Sequence, residues 1–104
     1  MPTREVEISQ AAERDLEAIF RYTRERWGEA QAVSYIEALN EGFDGIAETP
    51  GLGRDRSEEI EGGRSRILAR HVVFYTFTRE RAVIIRVLHP AQDPRTLLGP
   101  GPDG

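Results

Sequence analysis

The stretch HVVFYTFTRERAVIIRVLH, residues 71–89, decides the fold. It holds two runs of β-branched and aromatic residues, 72–78 and 82–89, separated by Arg79-Glu80-Arg81. Such runs are strand-prone, and so short a connection predicts an antiparallel hairpin. Just upstream, residues 64–69 alternate weakly, and only Arg70-His71 separates them from the next run, which predicts a third antiparallel strand. The two longer strands are apolar on both parities. Val73, Tyr75 and Phe77 share one with Val83, Ile85 and Val87; Val72 and Phe74 share the other with Ile84 and Leu88. One helical layer covers one face. The other face then needs a partner chain or dimer contact, or else the loop 51–63 and the tail folded across it.

Working outward, residues 5–8 alternate polar and apolar and predict a short strand. Ser9 is placed as an N-cap, with Glu13, Asp15 and Glu17 in the early turns, where the helix dipole favours carboxylates. Leu16, Ile19, Phe20, Thr23 and Trp27 recur at helical spacing, and Gly28 suits the helix stop. A second helix starts near Glu29, with Val33, Ile36, Leu39, Phe43 and Ile46 on its apolar stripe. The tight connection predicts an antiparallel helical hairpin. Gly42 and Gly45 each cost about 1 kcal/mol of helix propensity. They mark a close approach by another backbone, or a frayed second half. Thr49-Pro50-Gly51 ends the helix, and residues 51–63 read as a loop. The expected fold class is α+β, with an N-terminal strand and helical hairpin packed on a small antiparallel β-sheet. Leu16, Ile19, Phe20, Val33, Ile36, Phe43, Val73 and Ile85 are the expected core. Residues 1–98 form one domain, and the Pro- and Gly-rich residues 99–104 are expected to be disordered.

The 104 residues contain no cysteine, which excludes thiolate chemistry and Cys-ligated metals. No apolar run suits a membrane span, and the first ten residues lack a basic-then-apolar leader, so a cytoplasmic protein is expected. All 14 basic residues are arginine. Residues 1–52 carry 5 Arg against 11 acids, and residues 53–104 carry 9 against 7, giving −6 and +2. Residues 64–95 alone carry 7 Arg against 2 acids, a net of +5. This split fits an anionic partner for one face, or internal pairing of the two halves. Both helices lie in the acidic half and no recognition helix is evident, which argues against direct DNA binding by this chain alone.

No phosphate-binding glycine loop or nucleophile elbow is present. The two histidines, His71 and His89, have no third ligand near them in sequence, so neither a metal nor another cofactor is expected. One constellation suits acid–base chemistry: Arg64, Arg66, His71, Tyr75, Arg86 and His89 on neighbouring strands. Arginines can hold a phosphate, and a histidine can move the proton when a 2′-hydroxyl attacks its phosphodiester. The plainer reading is solvated strand arginines and a locally bonded strand-end histidine.

Several residues in order resemble the RelE/ParE toxin superfamily, and its ParE branch in particular, over about residues 6–94. In the first helix they are Ser9, Ala12, Asp15-Leu16, Ile19, Tyr22 and Trp27-Gly28; in the second, Ala32, Tyr35 and Leu39. Pro50, Gly53-Arg54, the run 70–75, the run 85–89 and Asp93 continue the match. The resemblance implies a small toxin that poisons DNA gyrase by protein–protein contact rather than by catalysis of its own. It also implies a ParD-like antitoxin that wraps the toxin in a hetero-oligomer. Arg64, Arg66, Arg86, His89 and Asp93 are the residues expected to face the target. Trp27, Tyr35, Leu39 and Phe74 are expected to seat the antitoxin, with core packing as the alternative for Trp27 and Phe74. The sibling RelE branch cleaves mRNA on the ribosome; here Arg64, Arg66, Arg86 and His89 would form a reduced version of such a site. A non-toxic binding module on the same scaffold is the third possibility.

Overall fold

The computed structural model describes residues 4–92 and 94–98. The elements are β1 (Glu5–Ile8), α1 (Gln10–Trp27), α2 (Glu29–Glu48), β2 (Arg54–Asp55), β3 (Arg64–Leu68), β4 (His71–Phe77), β5 (Arg81–Leu88) and α3 (Pro94–Leu98). A single 3-10 turn, Pro50–Leu52, follows α2. The expected tail 99–104 lies outside the described residues. The strands form one mixed sheet in the order β1-β5-β4-β3-β2. The three pairs among β2 to β5 are antiparallel, whereas β1 is parallel to β5. The sheet is therefore not wholly antiparallel, and it gains a strand inside the expected loop 51–63. At two residues, β2 is too short to show an alternation.

Local chemistry sets the helix ends. The Ser9 Oγ accepts from the Ala12 N–H at 3.0 Å and donates to the Ile85 carbonyl at 2.9 Å, so the cap also fixes α1 to β5. Gly28, at φ 96°, alone separates α1 from α2, a conformation that disfavours any side chain. α2 continues unbroken past Gly42 and Gly45. A Cβ at Gly42 would fall 2.5 Å from Leu68 Cδ1, so the close approach is made by a side chain of β3, not by a backbone.

The core lies between the hairpin and one face of the sheet. Leu39, Phe43 and Ile46 of α2 meet Val73 and Tyr75 of β4 and Ile84 and Val87 of β5. Two expectations need correction. The buried arc of α2 runs through Ala32, Leu39, Phe43, Ile46 and Ala47, which leaves Val33 42% exposed. A bulge shifts the β4–β5 register between Phe74 and Tyr75, which pair with Arg86 and Ile84 and leave Ile85 without a partner. The extra residue switches parity, so Ile84 enters the core and Ile85 stays only half-buried. Leu16, Ile19 and Ile36 pack on the edge of the core, and Phe20 is half-buried.

The far face has an intramolecular cover over Phe74. Arg56 lies 5.0 Å above the Phe74 ring, donates from Nε to Ser65 Oγ at 2.8 Å, and pairs with Glu59 at 3.4 Å. Of the two covers considered for that face, the loop supplies the one over Phe74.

Candidate functional site

The sheet arginines divide into two groups with different tasks. α2 ends without a basic residue in its last turn, so its C-terminal carbonyls have no helical cation to meet them. Neighbouring elements supply two, Arg66 and Arg4, and Arg64 adds a third contact further along the chain. Arg66 donates to the Thr49 carbonyl, Arg64 to the Gly53 carbonyl at 2.9 Å, and Arg4 to the Ala47 carbonyl at 3.3 Å. Arg64 and Arg66 thus fasten β3 to the chain leaving α2.

Arg86 is held elsewhere. Its Nε and Nη2 donate to the two oxygens of Asp15 at 2.8 Å each, a bidentate pair largely shielded from solvent. The same carboxylate accepts the Val87 N–H at 2.9 Å. β1 pairs β5 only as far as Ile84, so Asp15 takes the place of a strand partner further along that edge. The carboxylate's hydrogen bonds raise the Arg86 guanidinium above its ordinary value, against a smaller opposing effect of burial.

A third cluster joins α2 to the ends of β4 and β5. The Tyr35 hydroxyl accepts the Arg70 N–H at 2.9 Å and meets His71 Nδ1 at 2.7 Å. The His71 ring stands edge-on to His89, with centroids 6.1 Å apart. Burial lowers the His71 pKa below its ordinary 6.5; the His89 charge adds to this and the Asp15 charge opposes it. His89 Nδ1 accepts the Ala91 N–H at 3.1 Å, so the proton of the neutral ring sits on Nε2. In that state Nε2 donates and is not a general base.

The expected target residues therefore do not form one cluster. Arg64 pairs across the sheet with Tyr75, four residues from His71 along β4, about 13 Å of strand. Arg86 is bound to Asp15, His89 lies beside His71, and Asp93 lies outside the described residues. Of the expected antitoxin residues, Trp27 is 65% exposed at the tip of the hairpin and Tyr35 is half-buried. Leu39 and Phe74 need correction: Leu39 is wholly in the core and Phe74 lies beneath Arg56, so neither offers surface. A groove the sequence reading did not identify runs between α1 and α2. It measures about 400 Å³ and is lined by Leu16, Phe20 and Ile36, with Glu17, Arg21 and Arg24 at its rim. The spacing of Leu16 and Phe20, one turn apart, was its available signal.

Among the described residues, no cluster of three or more histidine or carboxylate side chains could hold a metal ion. No described helix is long and apolar enough to cross a membrane.

A family model for the ParE toxin of the type II toxin–antitoxin system parDE matches residues 6–94. The chain is 39% identical over 92 residues to Toxin ParE1 of Caulobacter vibrioides, covering 88% of this chain and 95% of that one. It is 37% identical over 87 residues to Toxin ParE1 of Mycobacterium tuberculosis, covering 83% and 89%. With Toxin ParE of Escherichia coli it shares 36% over 92 residues, covering 88% and 89%. A solved structure described as a chromosomal ParDE toxin–antitoxin system from P. aeruginosa superposes with a TM-score of 0.71. That likeness covers 84% of this chain and 96% of the other at 18% identity, and it bears on the fold alone. By the family match and these relatives, the chain belongs to the ParE toxin family of type II toxin–antitoxin systems.

Proposed function

We propose that this toxin acts on DNA gyrase by protein–protein contact, and that a ParD-like antitoxin neutralises it by laying an apolar segment along the α1–α2 groove. The observation behind the contact mode is the commitment of the arginines. Arg64 and Arg66 donate to main-chain carbonyls and Arg86 is clamped by Asp15, while His89 offers a donor edge. An mRNA-cleaving site needs cations gathered around one phosphate with a base in reach of the 2′-hydroxyl. Here those residues are dispersed and engaged. The groove supports the antitoxin assignment: Leu16, Phe20 and Ile36 line a trough with a charged rim, and Trp27 stands exposed at the end of the hairpin. Apolar anchors in a trough with a polar border suit an amphipathic helix.

The test is pulse labelling of DNA and protein synthesis in the first minutes after induction, followed by a cleavage assay with purified gyrase. Thymidine incorporation should fall first, and cleaved DNA should accumulate when toxin, gyrase and DNA are mixed. An earlier fall in methionine incorporation, with gyrase unaffected, assigns the chain to the mRNA-cleaving branch instead.

A further inference from the structure

We propose that Tyr35, His71 and His89 form an acid-released clasp: with both rings neutral, it ties the β3–β4 turn and the turn after β5 to α2, and proton uptake at the two Nδ1 atoms opens both turns. The neutral arrangement gives each Nδ1 a donor. Tyr35 Oη accepts the Arg70 N–H and donates its own hydrogen to His71 Nδ1. His71 packs edge-on against His89, whose Nδ1 accepts the Ala91 N–H. The His89 backbone closes the same turn: its N–H donates to Gln92 Oε1 at 2.7 Å, and its carbonyl accepts the Gln92 N–H at 2.9 Å.

Protonation reverses the polarity at two points. A hydrogen on His89 Nδ1 faces the Ala91 N–H, donor against donor, and that bond is lost. A hydrogen on His71 Nδ1 must be accepted by Tyr35 Oη, whose own hydrogen then turns away, so that the one oxygen faces both the His71 and the Arg70 donors and the Arg70 bond weakens. Two imidazolium rings with centroids 6.1 Å apart then repel. The charged groups around the clasp are Asp15 of α1, acting on His71, Arg86 of β5 paired with it, and Arg70 in the turn itself. The β3–β4 turn is also under tension. Leu68 pairs with His71 across a two-residue connection in which Ala69 adopts φ 55°, a left-handed conformation that disfavours a Cβ. The Tyr35 bond to the next residue's N–H holds that turn closed.

The experiment uses the full 15N-labelled chain between about pH 7.5 and about pH 5, a range over which histidine changes charge. Imidazole 1H–15N correlations should show both neutral rings carrying their proton on Nε2. On acidification, amide-exchange protection at Arg70 and Ala91 should fall by about tenfold or more, while Val73 in β4 keeps its protection. In the His71→Asn/His89→Asn variant, each Oδ1 stands near the former Nδ1 and accepts the same hydrogen without titrating. That variant should hold its protection at both pH values. Tyr35→Phe should expose the Arg70 amide already at neutral pH, which tests the clasp even if the double variant does not fold. Unchanged protection in the wild type, acid opening that persists in the double variant, a protected Arg70 amide in Tyr35→Phe, or neutral rings protonated on Nδ1 would each overturn the proposal.

Discussion

At Asp15, one carboxylate serves two donors: the Arg86 guanidinium and the Val87 N–H. Removing Arg86 leaves a shielded carboxylate with its main counter-charge gone, a change worth about 2–3 kcal/mol. Arg86→Ala should therefore lower the melting temperature by about 8 °C or more, and Arg86→Lys should recover only part of it, because lysine lacks the two-pronged geometry. Calorimetry on the two variants checks this, and an unchanged melting temperature for Arg86→Ala would falsify the structural role. The consequence for function is direct: loss of toxicity in Arg86→Ala reports on target contact only if the fold survives. The pair was illegible in the sequence because its members lie 71 residues apart, and Asp15 reads locally as a dipole-favoured carboxylate. His71 adds a pH dependence whose sign follows from its lowered pKa. The folded chain binds fewer protons there than the unfolded chain, whose value is near 6.5. That stability is complete above 6.5 and drains away as the pH falls through it toward the depressed folded value. Urea midpoints measured against pH should show this loss in the wild type and a shallower one in His71→Asn.

Among the elements, the β4–β5 ladder shows how a pattern can be read correctly and phased wrongly. Both strands, the hairpin and the helical pair were legible, because each rests on local runs and turn chemistry. Which residues face the helices was not, since the bulge after Phe74 inserts Ile85 and reverses parity beyond it. Nothing in the run 83–88 fixes such an insertion, because both parities carry large apolar residues. The consequence is measurable: Ile84→Ala should cost about 2–5 kcal/mol, and Ile85→Ala about 1 kcal/mol, reversing the order expected from strict alternation. Denaturant titration of the two variants decides it, and equal losses would count against the register. Gly53 shows the same limit on reading a glycine. It was part of the family pattern, but its reason is three-dimensional: a Cβ there would sit 2.1 Å from the Tyr75 hydroxyl and 3.0 Å from the Ser65 carbonyl. Tyr75 is fully buried and donates to the Pro50 carbonyl, so it has no room to withdraw. Gly53→Ala should destabilise by about 1–3 kcal/mol through overpacking, with the loss visible in the same titration.

Taken as a whole molecule, the charge split between the two halves of the chain is partly used internally. Arg86 pairs with Asp15 and Arg81 with Glu7, each joining the basic sheet to the acidic N-terminal half. Arg66 and Arg4 meet the end of α2 in addition. A charge-based case for a partner on the sheet is weakened to that extent, and the hairpin becomes the better place to look for the antitoxin. Composition could not distinguish these surfaces, because pairing between residues far apart in sequence depends on the closed fold. On the hairpin, Val33 follows the same helical face as Ile36, three residues on, and is 42% exposed where the core residues are sealed. Trp27 stands 65% exposed at the tip. If the groove seats the antitoxin, Val33→Glu and Trp27→Ala should each weaken binding about tenfold or more, equivalent to about 1.4 kcal/mol. Neither variant removes a buried contact, so each melting temperature should stay within about 4 °C of the wild type. Leu39→Ala is the counterpart: it opens a cavity in the core, should cost about 2–5 kcal/mol, and should weaken binding only in step with lost folding. Isothermal titration with the antitoxin, run beside calorimetry of the free toxin, separates the two kinds of residue. Undiminished affinity in both Val33→Glu and Trp27→Ala would take the antitoxin off the exposed Val33 and Trp27 surface of the hairpin.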